Sequence, residues 1–207
     1  MQAVDLKLSE SLDDDELLRM PATWTEYLDV VDTVPYTVQF LNNELIISQA
    51  SGDHEALIIR LGALLTAYFD TFEGQYRIMS SNVKIVVPGE SNDLNADISL
   101  VKKPVVYGPT PTGKVSNTRI TNPEIIIEIL SKGTQKFDLT EKGTYYKLIP
   151  SLQYIMFVDQ YRPLVSVFSR TNVPDEWLNH DYRSLDSSVR LGALNLPMAA
   201  IYQDIIE

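Results

Sequence analysis

The sequence contains no cysteine. Disulfide frameworks, cysteine-based metal sites and thiol nucleophiles are therefore excluded. Histidine is scarce as well, with two in 207 residues, so a zinc hydrolase lacks its usual ligands. No apolar run approaches the roughly 18–20 residues that span a bilayer. There is no G-x-S-x-G elbow, no complete G-x-x-x-x-G-K-[ST] phosphate loop and no H-E-x-x-H helix. The start, "MQAVDLKLSESLDDDELLRM", is acidic and has neither the basic beginning nor the apolar stretch of a signal peptide. A soluble, cytoplasmic protein with no membrane association is expected.

What is present suits one folded domain. The chain is 44% hydrophobic and 22% charged, enough for a sizeable core. The net charge of −11 is unevenly spread. Residues 1–75 hold 14 acidic and 3 basic side chains, residues 76–150 hold 7 and 10, and residues 151–207 hold 7 and 4. The middle third is thus net positive, which is compatible with a local anion-binding face and equally with ordinary solvated lysines.

Residues 1–22 read as an acidic N-terminal extension in which "DDDELLRM" forms a short helix, and residues 23–207 read as the domain. "TWTEYLDVVD" predicts a short amphipathic helix. "YTVQFLNNELIIS" predicts a hairpin turning at Asn42–Asn43, residues that tolerate positive φ. In "SGDHEALIIRLGALLTAYFDTF" the apolar residues recur at helical spacing, with Ser51 or Asp53 as the cap. Strands follow at "YRIMSSNVKIVVPG", broken near Ser80–Asn82, and at "ADISLVKK". Residues 104–122, rich in Pro, Gly, Thr and Ser, read as a long loop. "PEIIIEIL" and "LQYIMFVD" read as buried strands on either side of a helix over "TQKFDLTEKGTYYKLI". "LVSVFSR" pairs beside the second of them. His180 falls in a loop, and the end of the chain suggests one or two strands and a short terminal helix. This order predicts an α/β (α+β) architecture with a mixed sheet flanked by helices.

Two charges stand where a core expects hydrocarbon. Glu128 alternates with Ile126 and Leu130 on one face of its strand. Lys142 shares a stripe with Leu139, Tyr146 and Ile149 on the following helix. If the strand carrying Asp97 lies beside that of Glu128, the two carboxylates stand about 5 Å apart. They then repel unless a proton or a cation intervenes, and a hard ion such as Mg²⁺ accepts one or two carboxylates while keeping waters. Each residue also has an ordinary explanation. Asp138 and Lys142 have the spacing of a surface ion pair, Glu128 suits an exposed edge, and His54 suits a packed helix start. Glu124 is about 13 Å along the strand from Glu128, too far to share an ion with it.

The succession "ADISLV", "PEIIIEILSKGTQKFDLTEKGTYYKL", "LQYIMFVD", preceded by "TWTEYL", "VQFLNNELIIS" and His54, resembles the Uma-two restriction endonuclease family of the PD-(D/E)XK nuclease superfamily. The similarity runs over roughly residues 23–205, and its most specific part is Ser131, Thr134, Asp138, Lys142 and Tyr146 after the glutamate strand. The resemblance implies a restriction-endonuclease-like mixed sheet flanked by helices and a Mg²⁺- or Mn²⁺-dependent endonuclease acting on DNA, with a homodimer cutting both strands. Asp97 and Glu128 would hold the metal and Lys142 would be catalytic. His54, Glu44, Asp138 and Tyr146 would stand around them. The sequence departs from the family pattern at Ala96, at Gln39, at Leu130 and across Ser131–Thr134. An inactive nuclease-fold module that binds nucleic acid or another partner is the alternative.

Overall fold

The structure, a computed structural model, describes residue 12 and residues 16–88, 92–109 and 113–206. The first strand, β1 (Leu17–Pro21), leads into helix α1 (Trp24–Val30), where Thr23 and Glu26 form a capping box. Strands β2 (Thr37–Leu41) and β3 (Glu44–Ser48) form the expected hairpin. Asn42 and Asn43 sit at φ of 52° and 59°, the pair of left-handed residues that matches the twist of a two-residue hairpin. The sheet order is β1-β3-β2. The short helix expected over "DDDELLRM" is corrected where it is described. Residues 17–21 are strand, because Leu18 and Met20 alternate with Arg19 and pack into the hairpin core. Apart from Leu12, residues 1–15 lie outside the described residues.

Helix α2 (Gly52–Phe69) begins at Ser51, whose hydroxyl accepts from the His54 N–H at 3.4 Å. The chain then alternates between two sheets. Strands β4 (Tyr76–Ser80), β5 (Lys84–Ile85), β6 (Leu94–Asn95), β7 (Ile98–Lys102), β8 (Tyr107–Pro109), β9 (Val115–Ile120) and β10 (Ile125–Leu130) follow in order. The loop expected over 104–122 is corrected here: β8 and β9 pair within a four-stranded sheet of order β6-β5-β9-β8. The polar composition hid these strands because Val115, Asn117 and Thr118 are exposed, so no apolar alternation marks them.

Beyond β10 comes a continuous helical crossover. It comprises α3 (Gln135–Phe137), a π turn (Asp138–Lys142) and α4 (Gly143–Tyr146). It leads to β11 (Tyr154–Asp159), β12 (Val165–Arg170) and β13 (Trp177–Tyr182), then β14 (Ser188–Leu191), β15 (Leu194–Pro197) and α5 (Met198–Ile201). His180 therefore lies in β13 rather than in a loop, with its ring 4.5 Å from that of Tyr182. The strand was hidden because four of its six residues are exposed.

The central sheet has the order β13-β12-β11-β10-β7-β4. Only β10 and β11 run parallel; the remaining pairs are antiparallel. A parallel pair needs a crossover long enough to return the chain, and the helical segment supplies it. Ile125, Ile127 and Ile129 pack on one face with Leu57, Leu61 and Leu65 of α2. Ile126 and Leu130 pack on the other with Phe137, Tyr146 and Ile149 of the crossover. The fold is thus the mixed sheet flanked by helices that the sequence predicts. No helix among the described residues is long and apolar enough to cross a membrane.

Leu61 is fully buried on α2, while Ile59 on the same helix is 72% exposed. Leu61→Ala is expected to cost about 2–5 kcal/mol in denaturant unfolding, and Ile59→Ala less than about 0.5 kcal/mol. Equal losses would contradict the packing of α2 on the sheet.

Candidate active site

Glu128 occupies the middle of β10, with β7 on one side and β11 on the other. It is no edge residue: 2% of its surface is exposed. A carboxylate so placed must find donors, and two arrive from the crossover. The Lys142 ammonium lies 2.9 Å from Oε1 of Glu128, and the Tyr146 hydroxyl donates to the same oxygen at 2.7 Å. Lys142 also meets Oδ1 of Asp138 at 3.0 Å, and both residues of that pair are buried. The ion pair thus has the i, i+4 spacing of a surface pair without being one.

A π turn spans Asp138–Lys142. Asp138, Lys142 and Tyr146 follow one another at i, i+4 and i+8 along one face of the crossover, and all three are buried. Leu139, expected in that stripe, is 42% exposed instead. At Gly143 a Cβ would stand 3.3 Å from the Asp138 carbonyl oxygen and 3.4 Å from Cζ of Phe157.

Asp97 lies just before β7. The antiparallel register pairs Ile98 with Ile127, so one further step sets Asp97 across from Glu128. Its Oδ2 accepts from the Ile129 N–H at 2.7 Å, and its Oδ1 lies 3.1 Å from Nε2 of His54 at the start of α2. Strand, sheet neighbour and helix start therefore each deliver one group to the same place, and the crossover delivers three.

The electrostatics follow from burial. Burial opposes ionisation of Asp97, yet the hydrogen bond and charge of His54, the Lys142 charge and the Ile129 N–H outweigh it and hold the carboxyl below its ordinary value. His54 shows the reciprocal effect: burial works against its charge, but Asp97 raises its pKa. Burial pushes Glu128 up to about 8 despite Lys142, with Asp97 and Asp138 adding to the rise. Burial also raises Asp138. Lys142 is held above the ordinary lysine value, because its three acidic neighbours overcome its burial. Three carboxyls thus share one ammonium and one imidazole, an arrangement short of positive charge.

These groups line a cleft of about 50 Å³ together with Gln39, Asn95, Ser131 and Thr134. That is room for an ion and a few waters. Among the described residues, no group of three or more His, Asp or Glu side chains is arranged to hold an ion. The donor set instead suits a hard cation on two carboxylates with water completing its shell, the common manner of Mg²⁺. The structure does not bring Glu44 into the cleft. Its carboxylate is held by Arg19, which also binds Glu141 at 2.6 Å.

Some cleft residues carry little signal in the sequence. Asn95 donates its N–H to Oε1 of Gln39 at 2.9 Å, and its carbonyl lies 3.3 Å from the Tyr146 hydroxyl. Only its position two residues before Asp97 could have pointed to it. Ser131 accepts from the Thr134 N–H at 3.2 Å and shares a hydroxyl contact with it at 3.1 Å. This local turn starts the crossover.

The family model described as "Putative restriction endonuclease", Uma2, matches residues 24–199. Two uncharacterized proteins of Synechocystis sp. (strain ATCC 27184 / PCC 6803 / Kazusa) are similar. The first, sll1609, is 27% identical over 140 residues, 67% of this chain and 75% of its own length. The second, slr1290, is 26% identical over 136 residues, 66% of each chain. A crystal structure described as a putative nuclease belonging to DUF820, from Anabaena variabilis ATCC 29413, superposes with a TM-score of 0.70 at 17% identity. The match covers 88% of this chain and 98% of that one, and it is a likeness of fold. With a family match that runs from α1 to α5 and takes in every residue of the cleft, the chain belongs to the Uma2 family, the one described as "Putative restriction endonuclease".

Proposed function

We propose that the chain is a Mg²⁺- or Mn²⁺-dependent endonuclease that hydrolyses DNA phosphodiester bonds in the cleft of Asp97, Glu128 and Lys142. One observation carries this reading: a buried glutamate in the central strand meets a buried lysine from the crossover, beside an aspartate already oriented by His54. Asp97 and Glu128 would hold the ion. When bound, it would polarise a phosphodiester oxygen and lower the pKa of an attacking water.

The chain's own residues have distinct parts in this scheme. His54 and the Ile129 N–H fix the Asp97 carboxylate from two sides. Tyr146 fixes Glu128. Lys142 provides a localised positive charge where negative charge develops on the phosphate oxygens, and Asp138 anchors its ammonium from the helix. Hydrolysis forms a P–O bond from water and breaks the P–O bond to the leaving oxygen, which takes up a proton. Cutting both strands of a duplex takes two such clefts, so the proposal includes a homodimer.

The proposal is tested on supercoiled plasmid DNA. Cleavage is expected with Mg²⁺ or Mn²⁺, to vanish with chelator, and to fall at least about 10–100-fold in Asp97→Asn and in Glu128→Gln. Cleavage that survives both substitutions would contradict the assignment. Binding without cleavage in the wild type would favour the non-catalytic module.

The Glu128 proton has a separate consequence for stability. An acid whose folded pKa is raised binds its proton more tightly in the folded state, so stability is lost as pH rises from the ordinary glutamate value toward the folded one. For Glu128 that window ends at about 8. Asp138 and His54, both also raised, act in the same direction. Thermal melts between pH 5 and pH 8 are therefore expected to show a smaller decline in Glu128→Gln than in the wild type. An equal or steeper decline in the variant would contradict a protonated, buried Glu128.

A further inference from the structure

A second cavity, of about 470 Å³, adjoins the acidic cleft and shares Thr37, Ser81 and Asn95 with it. Lys84, Asn82 and Asp32 complete its polar wall. The Lys84 ammonium donates to the Val38 carbonyl at 2.5 Å and to Oδ1 of Asn95 at 2.6 Å. A tetrahedral ammonium has three N–H donors, which leaves one for the cavity that Lys84 lines.

The surrounding cations are already committed. Lys142 is held by Glu128 and Asp138, and His54 by Asp97. Arg119 is held by Asp93, which also accepts from the Tyr27 hydroxyl at 2.7 Å. The hydrogen-bond partners of Lys84, by contrast, are both neutral. Burial accordingly pulls its pKa down to about 8, against the opposing charges of Asp93 and Asp32. Asp32 is exposed, where water and salt screen it. Lys84 is thus a largely buried cation short of counter-charge, next to a cleft that is itself rich in carboxylates.

That combination answers a difficulty in the nuclease reading. A chain of net charge −11 with four carboxyls lining its cleft, Glu55, Asp97, Glu128 and Asp138, repels a polyanion. Nucleic-acid affinity comes chiefly from cations that neutralise phosphates. We propose that the cavity beside Lys84 is a phosphate subsite, which receives the DNA backbone phosphate adjoining the one cut between Asp97 and Glu128. The inference rests on the reading given under Proposed function and deepens it. Asn95 ties the two places together. Its side chain accepts from Lys84, its N–H is fixed by Gln39, and its carbonyl contacts the Tyr146 hydroxyl that donates to Glu128.

The test is fluorescence anisotropy with a short labelled DNA duplex over a series of salt concentrations. It is made in the Glu128→Gln protein so that the probe stays whole. Adding Lys84→Met is expected to weaken binding about 10-fold at low salt and to reduce the slope of log affinity against log salt by about 0.9. Asn82→Asp, which places a carboxylate in the cavity wall at an exposed position, is expected to weaken binding while leaving the Lys84 hydrogen bonds in place. It decides the matter if the methionine variant does not fold. Tight binding that neither substitution changes would overturn the subsite and leave the nuclease reading intact. An absence of DNA binding at every salt concentration, together with no plasmid cleavage by the wild type, would overturn the nuclease reading itself.

Discussion

The arrangement hangs on one ammonium. Lys142 holds Glu128 from the sheet and Asp138 from its own helix, and its surface is 3% exposed. Removing such charges from water costs several kcal/mol per ion, a penalty that the pair's attraction often fails to recover. Replacing such a pair by hydrocarbon of similar volume is often neutral or stabilising. The burial of this pair is therefore weak evidence for a role in core stability, and the proposed hydrolysis gives it another role. A π turn spans Asp138–Lys142, and Gly143 lets the crossover approach Phe157 on β11.

The fold converges on this ammonium from both faces of the sheet. Glu128 projects toward the crossover, on the face of Ile126 and Leu130, while His54 enters from α2, which packs on the opposite face. Asp97, just outside β7, stands between them and is bonded to His54 and to the β10 backbone. The antiparallel register of β7 and β10 sets Asp97 one step beyond the paired residues, across from Glu128. The cleft gathers more acid than base. That imbalance suits a cation, and it also requires positive charge nearby to admit a phosphate backbone. Lys84, whose hydrogen bonds go only to neutral oxygens, meets that requirement.

Much of this was legible in the sequence because burial leaves a periodic signature. A glutamate in an isoleucine run marks a charge inside a sheet, and the hairpin at Asn42–Asn43 follows from residues that accept positive φ. The strands β8, β9 and β13 were not legible, since half-exposed strands with polar side chains carry no alternation. Strand β1 was misread because an acidic run before two leucines resembles a helix start. The crossover is legible as helical, but an apolar stripe selects Leu139 by its side chain, whereas the acidic Asp138, one residue earlier and nearer the face of Lys142, Tyr146 and Ile149, is the buried one. Glu44, which the resemblance sets around the site, is paired with Arg19 instead. Asn95 and Lys84 were overlooked because their roles arise from partners distant in sequence, Gln39, Val38 and Tyr146.

The most direct test of the central claim is anomalous scattering from crystals soaked in Mn²⁺. One ion is expected between Asp97 and Glu128, with an oxygen of each carboxylate at about 2.0–2.6 Å from it and the Lys142 ammonium still in the cleft. An ion bound only elsewhere in a protein whose DNA cleavage depends on Mn²⁺ would contradict the claim that these residues form the hydrolytic centre.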